Sequence, residues 1–381
     1  MLGRARPCAG YTLPFSNGPL LKRPLFKRRR YRLNLALQGG GAHGAFTWGV
    51  LDRLLRDDVI EFGWISATSA GAVNAVAVAA GLVEGGPAGA RAKLQNVWDA
   101  VHKAGVPDLL RLNPFLAGMS RSGALAQMAT LFSPYDFNPL GFDPLRKLLE
   151  AHIDFATLRT TKGPELLIAA TDIATGQVRH FRRREITVEA VLASACLPTI
   201  HHAVEIDGRA YWDGGFSANP DFLTPARESP IGDTMIVQLN TFAKFARPTT
   251  ARDIAGHISH LTFNQPYLSQ IAQLELALDT PASWFRTPGD VTRRIAQHRF
   301  HLIEAGRFTG NLSNDSKGKP EQALLNYLFS AGVSETGKWL DRHRNDIGQR
   351  DTAELVRRYK AVRGERGAVE VVAEEPAADA A

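Results

Sequence analysis

Twice within fifty residues the chain runs from a short apolar segment through a turn of small residues into a helical pattern. Leu33 to Leu37 (LNLAL) reads as a strand, and Ala45 to Leu55 (AFTWGVLDRLL) repeats its apolar residues at helical spacing, with glycines between. Phe62 to Ala67 (FGWISA) then leads through Thr68 to Gly71 into the small-residue helix Ala72 to Ala80. Consecutive strand-turn-helix units need crossovers between parallel strands, which a tight hairpin cannot supply. The class predicted is α/β, with a largely parallel central sheet between helical layers (α/β/α) and a helical C-terminal extension. Further strands are predicted at Glu165 to Ala170, Gln177 to Phe181, Thr234 to Asn240 and Arg299 to Glu304. Helices are predicted at Thr187 to Ala195, Ile254 to Ala277 and Glu321 to His343.

Composition marks a basic flexible leader at 1–30 and a disordered acidic tail at 364–381, and the strand and helix patterns between them give an α/β domain at 31–240 and a mostly helical extension at 241–363 packed on it. With 44% hydrophobic and 22% charged residues, the bulk of the chain can bury an ordinary core, and no window is apolar enough for a membrane-spanning helix. Two cysteines, Cys8 and Cys196, exclude a disulfide framework and a zinc cluster, so a reducing, cytoplasmic setting fits. No metal and no cofactor is required by any cluster of residues. The net charge of +7 is a property of the leader, where residues 1–32 hold nine bases and no acid. Such a run can touch anionic membrane peripherally. Nucleic acid is not expected as a partner, because the rest of the chain is close to neutral.

Three motifs carry chemistry. Gly39-Gly40-Gly41-Ala42-His43-Gly44 lies between a strand and a helix, where backbone amides and the helix dipole suit an anion. It also fits the dinucleotide pattern G-x-G-x-x-G, but the acid expected after the second strand is missing, since Asp57 and Asp58 precede it. Ala67-Thr68-Ser69-Ala70-Gly71 has the make-up of a nucleophile elbow, with Ala67 where G-x-S-x-G carries glycine. A serine helix cap is the plain alternative for Ser69. Asp213-Gly214-Gly215 reads either as a turn or as a carboxylate base held by small neighbours; Asp207-Gly208 just before it reads as a hairpin turn.

In this order the three motifs resemble the patatin-like phospholipase family. Leu166 to Phe181, Ala193 to Gly208 and Ser217-Ala218-Asn219-Pro220 resemble its intervening blocks, so the likeness covers about residues 33–240. The resemblance implies the patatin-like three-layer fold and a lipid acyl hydrolase acting on lipid or other esters through an acyl-enzyme. It implies Ser69 as nucleophile, Asp213 as base, and an oxyanion hole from Gly39, Gly40, Gly41 and the amide of Ala70. Ala42, His43, Gly44, Ala67, Thr68, Gly71, Gly214 and Gly215 would support these motifs. Two other readings stay open: an inactive lipid-binding member, disabled at Ala67, and a dinucleotide-binding oxidoreductase. His201 and His202 precede Asp213 and are read as structural or substrate-lining, and Cys196 as a small buried hydrophobe. The segment Pro107 to Leu149, uncharged from Ser122 to Tyr135, is read as buried core or as a cap over an acyl chain.

Overall fold

Eight strands form one sheet: β1 (Tyr31–Leu37), β2 (Ile60–Ala67), β3 (Glu165–Asp172), β4 (Val178–Arg182), β5 (Val204–Ile206), β6 (Arg209–Asp213), β7 (Asp233–Gln238) and β8 (Arg299–Glu304). The computed structural model describes residues 30–104, 133–242, 247–280 and 291–364. The basic leader up to residue 29, the acidic tail from 365 and residues 105–132 of the uncharged segment lie outside the described residues. The strand order is β5-β6-β3-β2-β1-β7-β8, with β4 also paired to β3. The run β3-β2-β1-β7-β8 is parallel throughout, and only the pairs made by β4, β5 and β6 are antiparallel.

Strand β1 is buried on both faces from Leu33 to Leu37, with Asn34 the polar residue on the second face. Leu33, Leu35 and Leu37 point into a core shared with helices α1 (Gly44–Leu55), α2 (Ala70–Ala104), α3 (Pro144–His152) and α4 (Val188–Ser194). Ala36 points the other way, into a second core with α5 (Leu223–Glu228), α6 (Ala251–Asp279) and the C-terminal helix Leu355–Val362. The period of two along the strand thus sorts one apolar run into two cores, giving three layers, α/β/α. Burying each leucine fully contributes roughly 1.5–3 kcal/mol.

Several elements depart from their expected bounds for clear reasons. The helix expected over Ala72 to Ala80 continues to Ala104, broken at Gly85 and Gly86 just before Pro87; its small residues carry little apolar periodicity to mark its end. Asp207 and Gly208, at φ of 51° and 73°, close the hairpin between β5 and β6, as D-G dipeptides do. The segment beyond 241 is helical in large part, but it also supplies the edge strand β8. Within residues 133–142, Leu140 is 94% exposed and the exposed Tyr135 ring stacks on His202 at 4.1 Å, so these two residues lie at the surface and not in the core.

Helix α7 (Gln322–His343) docks on α1 at backbone distance. A Cβ added at Gly332 would collide with the carbonyl of Phe46, and one at Gly49 with that of Phe329. Replacing Gly332 with valine must therefore push α7 off α1. The expected loss is about 2–4 kcal/mol in urea unfolding; a loss below about 0.5 kcal/mol would mean that the helices part freely.

Candidate active site

The parallel pairing of β1 with β2 brings two turns to one edge of the sheet, since both strands end there at Leu37 and Ala67. The turn after β1 holds Gly39 to His43, and the turn after β2 holds Thr68 and Ser69. The start of α2 lies so close to β1 that a Cβ on Gly71 would strike the Leu37 carbonyl. Gly39 packs against the other turn: a Cβ there would stand 2.7 Å from Ser69 Cβ. Gly44 likewise packs against Ala70, where an added Cβ would stand 2.8 Å from the methyl.

Ser69 has φ of 55°, one of three described non-glycine residues at positive φ. Holding a non-glycine residue there costs on the order of 1–3 kcal/mol. A helix-capping serine has extended backbone and bonds to its own helix's N–H groups. Ser69 does neither; its side chain faces the Asp213 carboxyl and lowers that group's affinity for a proton. Its own amide is held by Ser194 Oγ at 2.9 Å, and the neighbouring Thr68 Oγ1 donates to the Ala218 carbonyl at 2.6 Å. Ala67 closes β2, fully buried and outside the positive-φ set, so its methyl fits the strand end without backbone strain.

Asp213 ends β6 in antiparallel register with Ala170 and is 2% exposed. Its amide donates to the Cys196 carbonyl at 2.8 Å, and its carbonyl accepts from Thr171 Oγ1 at 2.8 Å, so the backbone is fixed from both sides. The tight turn Gly214–Phe216 follows, and the Gly215 amide donates to Asp213 Oδ1 at 2.7 Å. Burial raises the carboxyl to about 7, with the bonds from Gly215 and Ser69 acting in the opposite direction. Among the described residues no cation pairs with it.

On the glycine turn, the Gly39 amide is already committed to Asn219 Oδ1 at 2.8 Å. None of the described residues accepts from the amides of Gly40, Gly41 or Ala70. Gly41 has φ of 58°, and Ala42 and His43 are buried behind it. Three residues escaped the sequence reading of the site: Ser316, which no motif singles out, and Ser194 and Asn219, which lie in blocks noted for their resemblance but were given no role. Asn219 had a signal, because it lies in the block that follows the aspartate.

The remaining candidates are occupied locally. His201 Nδ1 accepts the Leu197 amide at 3.2 Å, and His202 Nε2 donates to the Pro134 carbonyl at 3.1 Å. Cys196 is buried, its thiol pushed up to about 12 chiefly by burial, and it donates to the His202 carbonyl. Such a thiol is not a nucleophile. Among the described residues no cluster of His, Cys, Asp and Glu could hold a metal ion, and no helix is long and apolar enough to cross a membrane.

Solved structures similar to this chain include VipD from Legionella pneumophila, at 14% identity and a TM-score of 0.35, over 83% of this chain and 67% of that one. The complex ExoU-SpcU from the type III secretion system of Pseudomonas aeruginosa is similar at 17% identity and a TM-score of 0.28, over 91% and 77%. No curated protein matches the chain. Residues 35–226, half of the sequence, match the model of the family described as Patatin: Patatin-like phospholipase. That span contains the glycine turn, the serine elbow and the Asp213 turn, and the chain belongs to the patatin-like phospholipase family.

Proposed function

We propose that the protein hydrolyses carboxylic esters of lipids, with Ser69 as nucleophile and Asp213 as its base. The observation that carries this reading is a partly buried serine, strained at positive φ, facing a buried carboxyl whose affinity for a proton lies near neutrality. The serine Oγ attacks the ester carbonyl carbon while its proton passes to Asp213. The amides of Gly40, Gly41 and Ala70 receive the oxyanion; Gly39, committed to Asn219, is left out of that set. Collapse expels the alcohol, which takes the proton from Asp213 and leaves an ester on Ser69. Water then attacks that ester, giving its proton to Asp213, and the acid departs as Ser69 recovers its proton. No histidine is needed, because a carboxyl near 7 can both take and return a proton at neutral pH. Family membership supports the lipid class of the substrate, and contact with anionic membrane through the basic leader would bring the protein to it from the cytoplasm.

A fluorophosphonate probe followed by mass spectrometry tests the nucleophile. The adduct is expected on Ser69, absent in Ser69→Ala and slowed about 10² to 10⁴-fold in Asp213→Asn. A folded protein that takes no label would instead be an inactive lipid binder.

The base sets the pH profile. Since Asp213 must be ionised to accept the proton, kcat/KM should rise tenfold per pH unit below about 7 and level off above it. A profile flat from pH 5 to 9 would exclude this carboxyl as the base.

The same shift affects stability. The folded value, about 7, lies above the ordinary carboxylate value, so folding binds a proton, and the stabilisation present at low pH is lost as pH rises between about 4 and 7. Asp213→Asn removes the buried charge and should raise stability at pH 8, by an amount on the order of 2 kcal/mol in thermal unfolding. A variant less stable than the parent at pH 8 would contradict the burial argument.

A further inference from the structure

Beyond the span of the family model, the chain returns to the glycine turn. Residues 313–318, which include the 3-10 turn Asn314–Gly318, cross it as a strap. We propose that Ser316 in this strap is a positioning residue that fixes the amides of Gly40 and Gly41 toward the developing oxyanion; the proposal rests on the Ser69 reading above.

Three contacts carry it. Ser316 Oγ donates its one proton to the Ser313 carbonyl at 2.6 Å, so in its 2.7 Å contact with His43 the imidazole Nε2–H must be the donor. Lys317 Nζ donates to Asn240 Oδ1 at 2.8 Å, tying the strap to the chain just past β7. Between these, the Lys317 carbonyl lies so close above Gly41 that a Cβ there would collide with it.

Their joint effect follows from the chemistry of the turn. Three consecutive glycines have no side chains to hold their peptide planes, and Gly41 sits at a positive φ that glycine enters and leaves cheaply. A flipped Gly40–Gly41 peptide would point its N–H away from the substrate. Asn219 pins the turn at Gly39; His43 on Ser316 and the Lys317 carbonyl hold it at the far end. Oxyanion donors act through their preorganisation, so loosening one end lowers the rate without changing which groups are present.

The experiment compares the full-length parent, Ser316→Ala and Ser316→Thr. Hydrogen exchange of the peptide spanning 38–46, read by mass spectrometry, reports the turn directly and independently of turnover. Hydrolysis of a chromogenic acyl ester and fluorophosphonate labelling report its effect on chemistry. Ser316→Ala should exchange faster at 38–46 and lose about tenfold in kcat, with KM within twofold and an unchanged melting temperature. Ser316→Thr, which keeps the hydroxyl, should restore both. Unchanged exchange in Ser316→Ala, or a kcat loss that threonine does not rescue, would overturn the strap. A parent that never labels at Ser69 would overturn the nucleophile, and the positioning role with it, whereas the exchange data would still say whether the strap holds the turn.

Discussion

Everything at this site depends on two neighbouring strands running in the same direction. Because β1 and β2 are parallel, both reach the same edge of the sheet, and the two turns that follow are set side by side. The glycine run is needed for that closeness: Gly39 meets Ser69, Gly44 meets Ala70, and Gly71 meets the backbone of β1. Side chains at these points would hold the turns apart by the width of a methyl group. Antiparallel β6, entering the sheet beside β3, then brings Asp213 to this edge from the other direction.

Among the five buried aspartates of the described residues, Asp213 and Asp233 stand in opposite states, and the contrast shows what sets a buried carboxyl's affinity for a proton. Burial would raise Asp233, at the start of β7, yet it is held well below the usual range by His301, Arg299 and the Gly348 amide. It serves as a clasp at the far end of the sheet, where the acid stays charged and fully bonded. Asp213 is more completely buried and receives only neutral donors, so burial dominates and the proton becomes exchangeable near neutral pH. Deep burial without a neighbouring cation, rather than a special group, gives it its basicity.

Much of this was legible in the sequence, and the parts that were not have a common cause. The apolar run of β1 and the helical spacing after it are local patterns, so the first β-turn-α unit lay close to its observed bounds. The Asp207-Gly208 hairpin was legible too, because two positive φ values demand those residues. The Ser69 backbone was not: a serine before a helix is ordinarily a cap, and the left-handed φ arises from the close packing of two crossovers, which no short window encodes. The commitment of Gly39 to Asn219 spans 180 residues, and that of His43 to Ser316 spans 273. Periodicity carries no trace of such contacts. The membership of Arg299 to Glu304 in the central sheet is similar, since the strand was visible but its neighbour was not.

The docking of α7 on α1 also bears on the protein's synthesis. Helix α1 begins where the glycine turn ends, and the face it shows to Gly332 and Phe329 is covered only by residues made almost three hundred positions later. A ribosome will have emitted the serine, the glycine turn and the aspartate long before α7, which covers α1, is available. During that interval the emerging chain must keep the apolar face of α1 uncovered, so this packing waits for α7 to arrive.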